Sequence, residues 1–304
     1  MRPDFPEVVD NSMLNEFRSC PQKAFKSYFQ HWKPTGESVH LHAGKAFAAG
    51  LEEARRWYYE QSASWPASRA VAQGFERLLK EYGDFQCPDD SPKSALRMAQ
   101  ALEYYFDAWP LESDLAQPLR LPSGRRAIEF SFVEPLDAKH PVTGQPILYS
   151  GRADMIAEYN GGIFVEDDKT ASQLGASWAN QWDLRSQFTG YTWAARRSGI
   201  KVDGVLVRGV AILKTMFKHE QCLTFRAQWE IDRWLEQTHR DLERMKRMWD
   251  EGYWDYNLGE ACGSYGGCHF RQICKAQNPD EWLGIYFERK RWDPVRRVEE
   301  LITD

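Results

Sequence analysis

Residues 150–169 read Ser150-Gly-Arg152-Ala-Asp154-Met-Ile-Ala-Glu-Tyr159-Asn160-Gly161-Gly162-Ile-Phe-Val-Glu166-Asp167-Asp168-Lys169, and this stretch decides the fold. Asn-Gly between apolar runs is the strongest short-range signal for a two-residue hairpin. With Asn160 and Gly161 as the loop, Tyr159 faces Gly162, and counting outward sets Asp154 opposite Asp167. Cross-strand partners share a face with Cβ atoms about 5 Å apart. Lys169, two residues beyond Asp167, points to the same side by strand alternation. A Gly161-Gly162 loop would slip the pairing and change the partner of Asp154 while leaving the carboxylates nearby. A solvated hairpin with scattered charges is the plain alternative. Ile156, Ile163, Phe164 and Val165 argue instead for a buried sheet, where unpaired charge is costly.

Two adjacent carboxylates repel unless a proton or a cation intervenes. Mg²⁺ or Mn²⁺ suits oxygen donors and leaves positions for water and phosphate. A lysine beside them can position an attacking water or stabilise developing negative charge.

Outward from the hairpin, the order of elements suggests a mixed sheet flanked by helices. Helical spacing marks residues 11–34, opened by an Asn11-Ser12 cap, and residues 43–60, 67–82 and 91–109. Strands are expected near 127–133, 147–159, 163–169, 204–213 and 220–226, with helices over 177–198 and 229–251. The chain reads as one domain, 1–304: a helical lobe at 1–120, a core at 125–226 and a cysteine-bearing segment at 229–304.

The 304 residues carry a net charge of -5 with 42% hydrophobic residues, enough for a core and without a global positive field. That weighs against a protein that coats DNA by charge alone. No apolar run is long enough to cross a bilayer, and residues 1–10 do not read as a signal peptide. A cytosolic protein without membrane partners is the expectation.

At these residues the sequence resembles the PD-(D/E)XK nuclease superfamily, RecB-like branch. The resemblance rests on Gly-Arg-Ala-Asp154, on Val-Glu-Asp167-Asp168-Lys169, and on Gln187-Phe-Thr-Gly-Tyr191, which matches the branch's Gln-x3-Tyr helix. It implies a restriction-endonuclease-like α/β core and a metal held by Asp154, Asp167 and the backbone carbonyl of Asp168. Lys169 would be the catalytic lysine, supported by Gln187 and Tyr191, with Glu129 as a further acidic residue on the preceding strand. The resemblance departs at Ala48, which stands where many relatives carry a metal-binding His, so a second metal is in question. His40 or His42 would have to compensate. Glu52 and Glu53 read as solvated helix residues.

Six cysteines in a reducing compartment suggest metal rather than disulfides. Cys262, Cys268 and Cys274 are too widely spaced for a standard zinc pair and need a fourth donor. Cys20, in Ser19-Cys20-Pro21, is the candidate. One N-terminal and three C-terminal cysteines resemble the iron-sulfur nucleases of the branch, the CRISPR-associated single-strand exonucleases and AddB-type helicase-nucleases. That implies a 4Fe-4S cluster, although the usual Cys-x2-Cys pair is missing. Zn²⁺, with His269 as a substitute ligand, is the rival. Gly263, Gly266 and Gly267 would let the backbone wrap the ion.

DNA, as single strands or duplex ends, is the expected partner. Trp178 and Trp182 are stacking candidates. Arg152, Arg185, Arg289-Lys290-Arg291 and Arg296-Arg297 are phosphate candidates. The reading is a DNA exonuclease of bacterial or phage origin, in recombination, repair or spacer processing, with a recombinase, helicase or integrase as possible associate. Its rival is a nuclease-fold subunit that binds DNA or a partner without cleaving.

Overall fold

A computed structural model describes residues 2–61, 65–263 and 267–294. In chain order the strands are β1 (Val8–Asp10), β2 (Trp32–Pro34), β3 (Gln117–Pro118), β4 (Ile128–Lys139), β5 (Pro146–Tyr159), β6 (Gly162–Ala171), β7 (Gly204–Ile212), β8 (Phe217–Phe225) and β9 (Phe287–Arg289). The helices are α1 (Asn11–Ser19), α2 (Pro21–Ala24), α3 (Val39–Tyr59), α4 (Ala67–Tyr82), α5 (Ala95–Ala108), α6 (Ala176–Asn180), α7 (Ser186–Arg197), α8 (Gln228–Glu251), α9 (Glu260–Gly263), α10 (Arg271–Lys275) and α11 (Pro279–Tyr286). A π-helical turn, Phe25–Phe29, follows α2.

The chain forms two compact units. One takes the described residues of Met1–Gly36, Ser131–Gly151 and Trp229–Asp304; the other takes Glu37–Phe130 and Arg152–Gln228. The second unit is built on a mixed sheet. β5 and β6 are antiparallel, β6 and β7 parallel, β7 and β8 antiparallel, and β3 pairs with the end of β5. Every residue of β7 is buried, as expected of a strand covered on both faces. Helices α3, α4 and α5 bury Phe47, Leu51, Leu78, Met98 and Leu102 with Val210 and Ile212 of β7 in one apolar cluster. This is the α/β architecture expected, a mixed sheet flanked by helices.

In the first unit β1 runs parallel to Leu148–Ser150 of β5, and β2 pairs with β9. The helix expected over 11–34 is interrupted at Cys20, whose φ of -160° and ψ of 111° are extended. Pro21 is the reason: proline excludes the helical region for its predecessor and then opens the next helix at its first position. The cap also lies one residue earlier than expected, because the Asp10 carboxylate accepts from the Met13 N–H at 2.7 Å. The single helix expected over 177–198 is two, α6 and α7, broken over 181–185.

Among the described residues, no helix is long and apolar enough to cross a membrane.

Candidate active site

The hairpin forms as its sequence dictates. Asn160 and Gly161 have φ of 48° and 82°, the left-handed values that a type I′ turn requires at both loop positions. Tyr159 pairs with Gly162, and the ladder runs outward to Met155 opposite Glu166. The slipped register does not occur, and the same register continued by one step sets Asp154 opposite Asp167. The Asp168 N–H donates to Asp154 Oδ2 at 2.7 Å across the same strands. In the parallel pair with β7, Asp167 lies beside Val207 and Lys169 beside Gly209.

The charges on this face are crowded, with Asp167 and Glu129 buried and Lys169 and Arg152 partly open to solvent. Asp167 is 2% exposed and lies 2.5 Å from the Lys169 ammonium. Burial, then the charges of Asp167 and Glu129, hold the Asp154 carboxyl well above the usual range. Burial also raises Asp167, against the opposing pull of Lys169. Burial draws the Lys169 ammonium down, but Asp167 and Asp154 outweigh it and leave its pKa raised. Glu129 is buried, 2.5 Å from Arg152, and burial pushes it up to about 7 against that arginine. Its φ of 52° is left-handed, an unfavourable conformation for glutamate that functional sites often retain. Glu52 on α3, partly exposed and paired with Arg56 at 3.0 Å, adds its negative charge to the environment of Glu129.

Crowded, desolvated carboxylates favour a proton or a cation between them. Among the described residues, no three His, Cys, Asp or Glu side chains stand grouped to hold a metal ion. Mg²⁺ is usually held by one or two carboxylates, waters and substrate phosphate rather than by a protein cage. The pair Asp154 and Asp167 fits such an ion.

Gln187 and Tyr191 share a face of α7. Gln187 Nε2 donates to Tyr191 Oη at 3.2 Å and reaches Asp167 Oδ1 at 3.5 Å. Arg185, exposed at the start of α7, is close enough to lower the pKa of Asp167. The two tryptophans expected to stack on bases do not present their faces. Trp178 and Trp182 are 6% and 5% exposed, packed edge to face. Trp178 also lies over Gly209, where an added Cβ would collide with its ring. They are core residues: Trp178 of α6 covers Gly209 of β7, and Trp182 packs against Phe188 of α7.

Neither His40 nor His42 compensates for Ala48. His40 is exposed, and His42 is occupied by Glu37 and the Tyr82 carbonyl with its ring stacked on Phe85.

The opposite face of β6 carries a buried ion network that sequence reasoning missed. Arg55 donates to Asp168 Oδ2 at 2.7 Å and to Glu166 Oε1 at 2.6 Å. Arg208 makes two 2.6 Å bonds to Asp114 and reaches Glu166 at 3.4 Å. Tyr105 donates to Asp168 Oδ1 at 2.7 Å. A signal existed: Arg208 interrupts the apolar run of β7, and the acidic triplet 166–168 in a buried strand requires cations on both faces.

In the other unit, Cys20, Cys262, Cys268 and Cys274 line one small cavity together with Lys23 and Lys26. The break before Pro21 brings Cys20 there, and the Cys268 N–H donates to the Cys262 carbonyl at 3.0 Å. His269 lines a different cavity, with Ile273 and Trp282, and burial beside Lys23 pushes it down to about 4. Gly266 and Arg296-Arg297 lie outside the described residues.

A mixed sheet that sets Asp against Asp-x-Lys on neighbouring strands, backed by helices, defines a nuclease core for phosphodiester bonds. The chain belongs to the PD-(D/E)XK nuclease superfamily, whose family model matches residues 11–275. Among solved structures, it is similar to a protein of Eubacterium rectale named "Putative exonuclease". The identity is 11%, covering 84% of this chain and 87% of that one, with a TM-score of 0.50, a likeness of fold alone. SSO0001 matches at 16% identity over 74% of this chain and 85% of its own, with a TM-score of 0.27. No curated protein matches.

Proposed function

We propose that this protein is a metal-dependent DNA exonuclease of the RecB-like branch, with Asp154, Asp167 and Lys169 at its centre. The observation that carries the reading is the gathering on one sheet face of Asp154, held by the Asp168 N–H, with buried Asp167 and the Lys169 ammonium 2.5 Å from it. Members of the superfamily generally use Mg²⁺ or Mn²⁺, and here Asp154, Asp167 and the Asp168 backbone carbonyl would hold the ion. Bound there, it would supply Lewis-acid stabilisation of phosphate charge and an acidified water. Lys169, kept protonated by its two carboxylate neighbours, offers positive charge where negative charge grows on the phosphoryl oxygens. Gln187, tied to both Tyr191 and Asp167, orients the carboxylate. Glu129 neutralises Arg152 and adds a third acidic group beside Asp154. Exposed Arg185 is the favoured phosphate contact.

The test uses linear end-labelled and circular single-stranded DNA with Mn²⁺. Degradation of linear strands while circles survive is the expected result; cutting of circles at the same rate refutes exonuclease action. Binding of DNA without any cleavage favours a nuclease-fold binding subunit.

An accompanying reading, drawn from the resemblance, is an iron-sulfur cluster on Cys20, Cys262, Cys268 and Cys274, which line one cavity without standing grouped as ligands among the described residues. Four thiols lining one cavity beside two lysines suit an anionic thiolate-bound centre. Protein purified without oxygen should be brown and absorb near roughly 400 nm from sulfur-to-iron charge transfer. A colourless protein containing zinc would replace that reading.

A further inference from the structure

The middle residue of Asp167-Asp168-Lys169 is the family motif's variable position, yet here its side chain is fully engaged. Asp168 is 3% exposed at its side chain, and each carboxylate oxygen has its own donor, Arg55 on α3 and Tyr105 on α5, both at 2.7 Å. Arg55 and Tyr105 are themselves buried and joined by a 2.7 Å bond. At the other end of the same residue, the backbone N–H of Asp168 holds Asp154 Oδ2. Charge-assisted hydrogen bonds hold the Asp168 side chain in one geometry, and the N–H that meets Asp154 belongs to the peptide entering the same Cα. One amino acid thus links two helices on one face of β6 to a carboxylate on the other.

We infer that Asp168, Arg55 and Tyr105 are positioning residues, which fix the orientation of the Asp154 carboxylate as a metal ligand through the Asp168 N–H. The inference rests on the metal-dependent reading of the site. It gives the clamp a task beyond stability. Outer groups that orient metal ligands commonly change metal affinity by about 10- to 100-fold when removed.

Mn²⁺ binding, followed by the loss of the free-ion electron paramagnetic resonance signal, tests it without reference to turnover. Asp168→Asn removes the charge that Arg55 holds and should weaken Mn²⁺ binding by about tenfold or more. Tyr105→Phe, which deletes a single hydroxyl, should fold and weaken binding by a few-fold. Leu102→Ala, a core truncation among the same helices, should lower the melting temperature and leave Mn²⁺ affinity unchanged. Folded Asp168→Asn and Tyr105→Phe proteins with wild-type Mn²⁺ affinity would overturn the inference. So would an equal loss of affinity in Leu102→Ala. Cleavage of labelled DNA is scored separately: Mn²⁺ bound without cleavage counts against the nuclease reading alone, and no Mn²⁺ bound by wild type overturns both.

Discussion

Arg208→Met is the perturbation whose size follows most directly from the structure. Arg208 is 1% exposed, and its guanidinium bonds Asp114 twice at 2.6 Å, Gln221 at 2.9 Å, and Tyr105 and Glu166 at 3.4 Å. Methionine fills most of the volume and supplies none of these donors. Asp114 then loses its bidentate partner, and Glu166 is left with Arg55 alone. Removing one partner from a buried ion pair costs about 3–5 kcal/mol, because the remaining charge stays desolvated. The loss should also depend on pH. Glu166 sits at about 7, raised by burial and held back first by Arg208. Without Arg208 its folded-state pKa rises further, while its unfolded value does not move. Stability conferred by a raised carboxyl is present at low pH and lost as pH climbs through the folded pKa. The deficit of the variant should therefore grow between pH 7 and pH 9. Urea unfolding at both pH values measures this, with Trp109 fluorescence as a local reporter 4.9 Å from the guanidinium. Adding Asp114→Asn should recover part of the loss. A deficit below about 1 kcal/mol, or one that shrinks as pH rises, refutes the reasoning.

Gly209→Ala should cost about 1–3 kcal/mol in a thermal melt, because the new methyl overlaps the Trp178 ring and lies 3.0 Å from Leu174; an unchanged melting temperature would contradict the buried placement of Trp178. Asp10, raised by burial to about 6, favours its protonated form in the fold, so its contribution is complete below about pH 4 and fades through pH 6. Asp10→Asn keeps the cap to Met13 and should stabilise the protein at pH 8 by roughly 2 kcal/mol relative to wild type, with no difference at pH 4. Gln187→Leu, which removes the contacts to Asp167 and Tyr191, should lower kcat about tenfold with little change in KM for DNA; a change confined to KM would assign Gln187 to DNA binding instead.

The hairpin was legible because Asn160-Gly161 admits few backbone solutions and the two-residue period of strands then fixes every side chain. The sheet and helices α3, α4, α5 and α8 followed from apolar periodicity for the same reason: one face must be dry. Cys20 stood out as the cysteine near the N-terminus, but the break that Pro21 imposes there was not read from the helical spacing. What did not show was long-range pairing. The ion-pair partners among Arg55, Asp114, Glu166, Asp168 and Arg208 are 42 to 113 residues apart, and nothing local in the sequence says which cation meets which anion. The tryptophans misled because an aromatic residue one turn from another suits a stacking platform and a packed core equally. Gly209, the residue that makes room for Trp178, lies on a different strand.

Asp167→Ala is the most direct test of the central claim. The substitution removes the carboxylate that faces Asp154 and pairs with Lys169, and leaves Asp168 and its clamp in place. With Mn²⁺ and labelled linear DNA, wild type should release nucleotides and the variant should lose at least about a hundredfold in rate, the scale of losing a group that acts in the transition state. Equal cleavage by the two proteins, with activity still abolished by chelation, would contradict the site described.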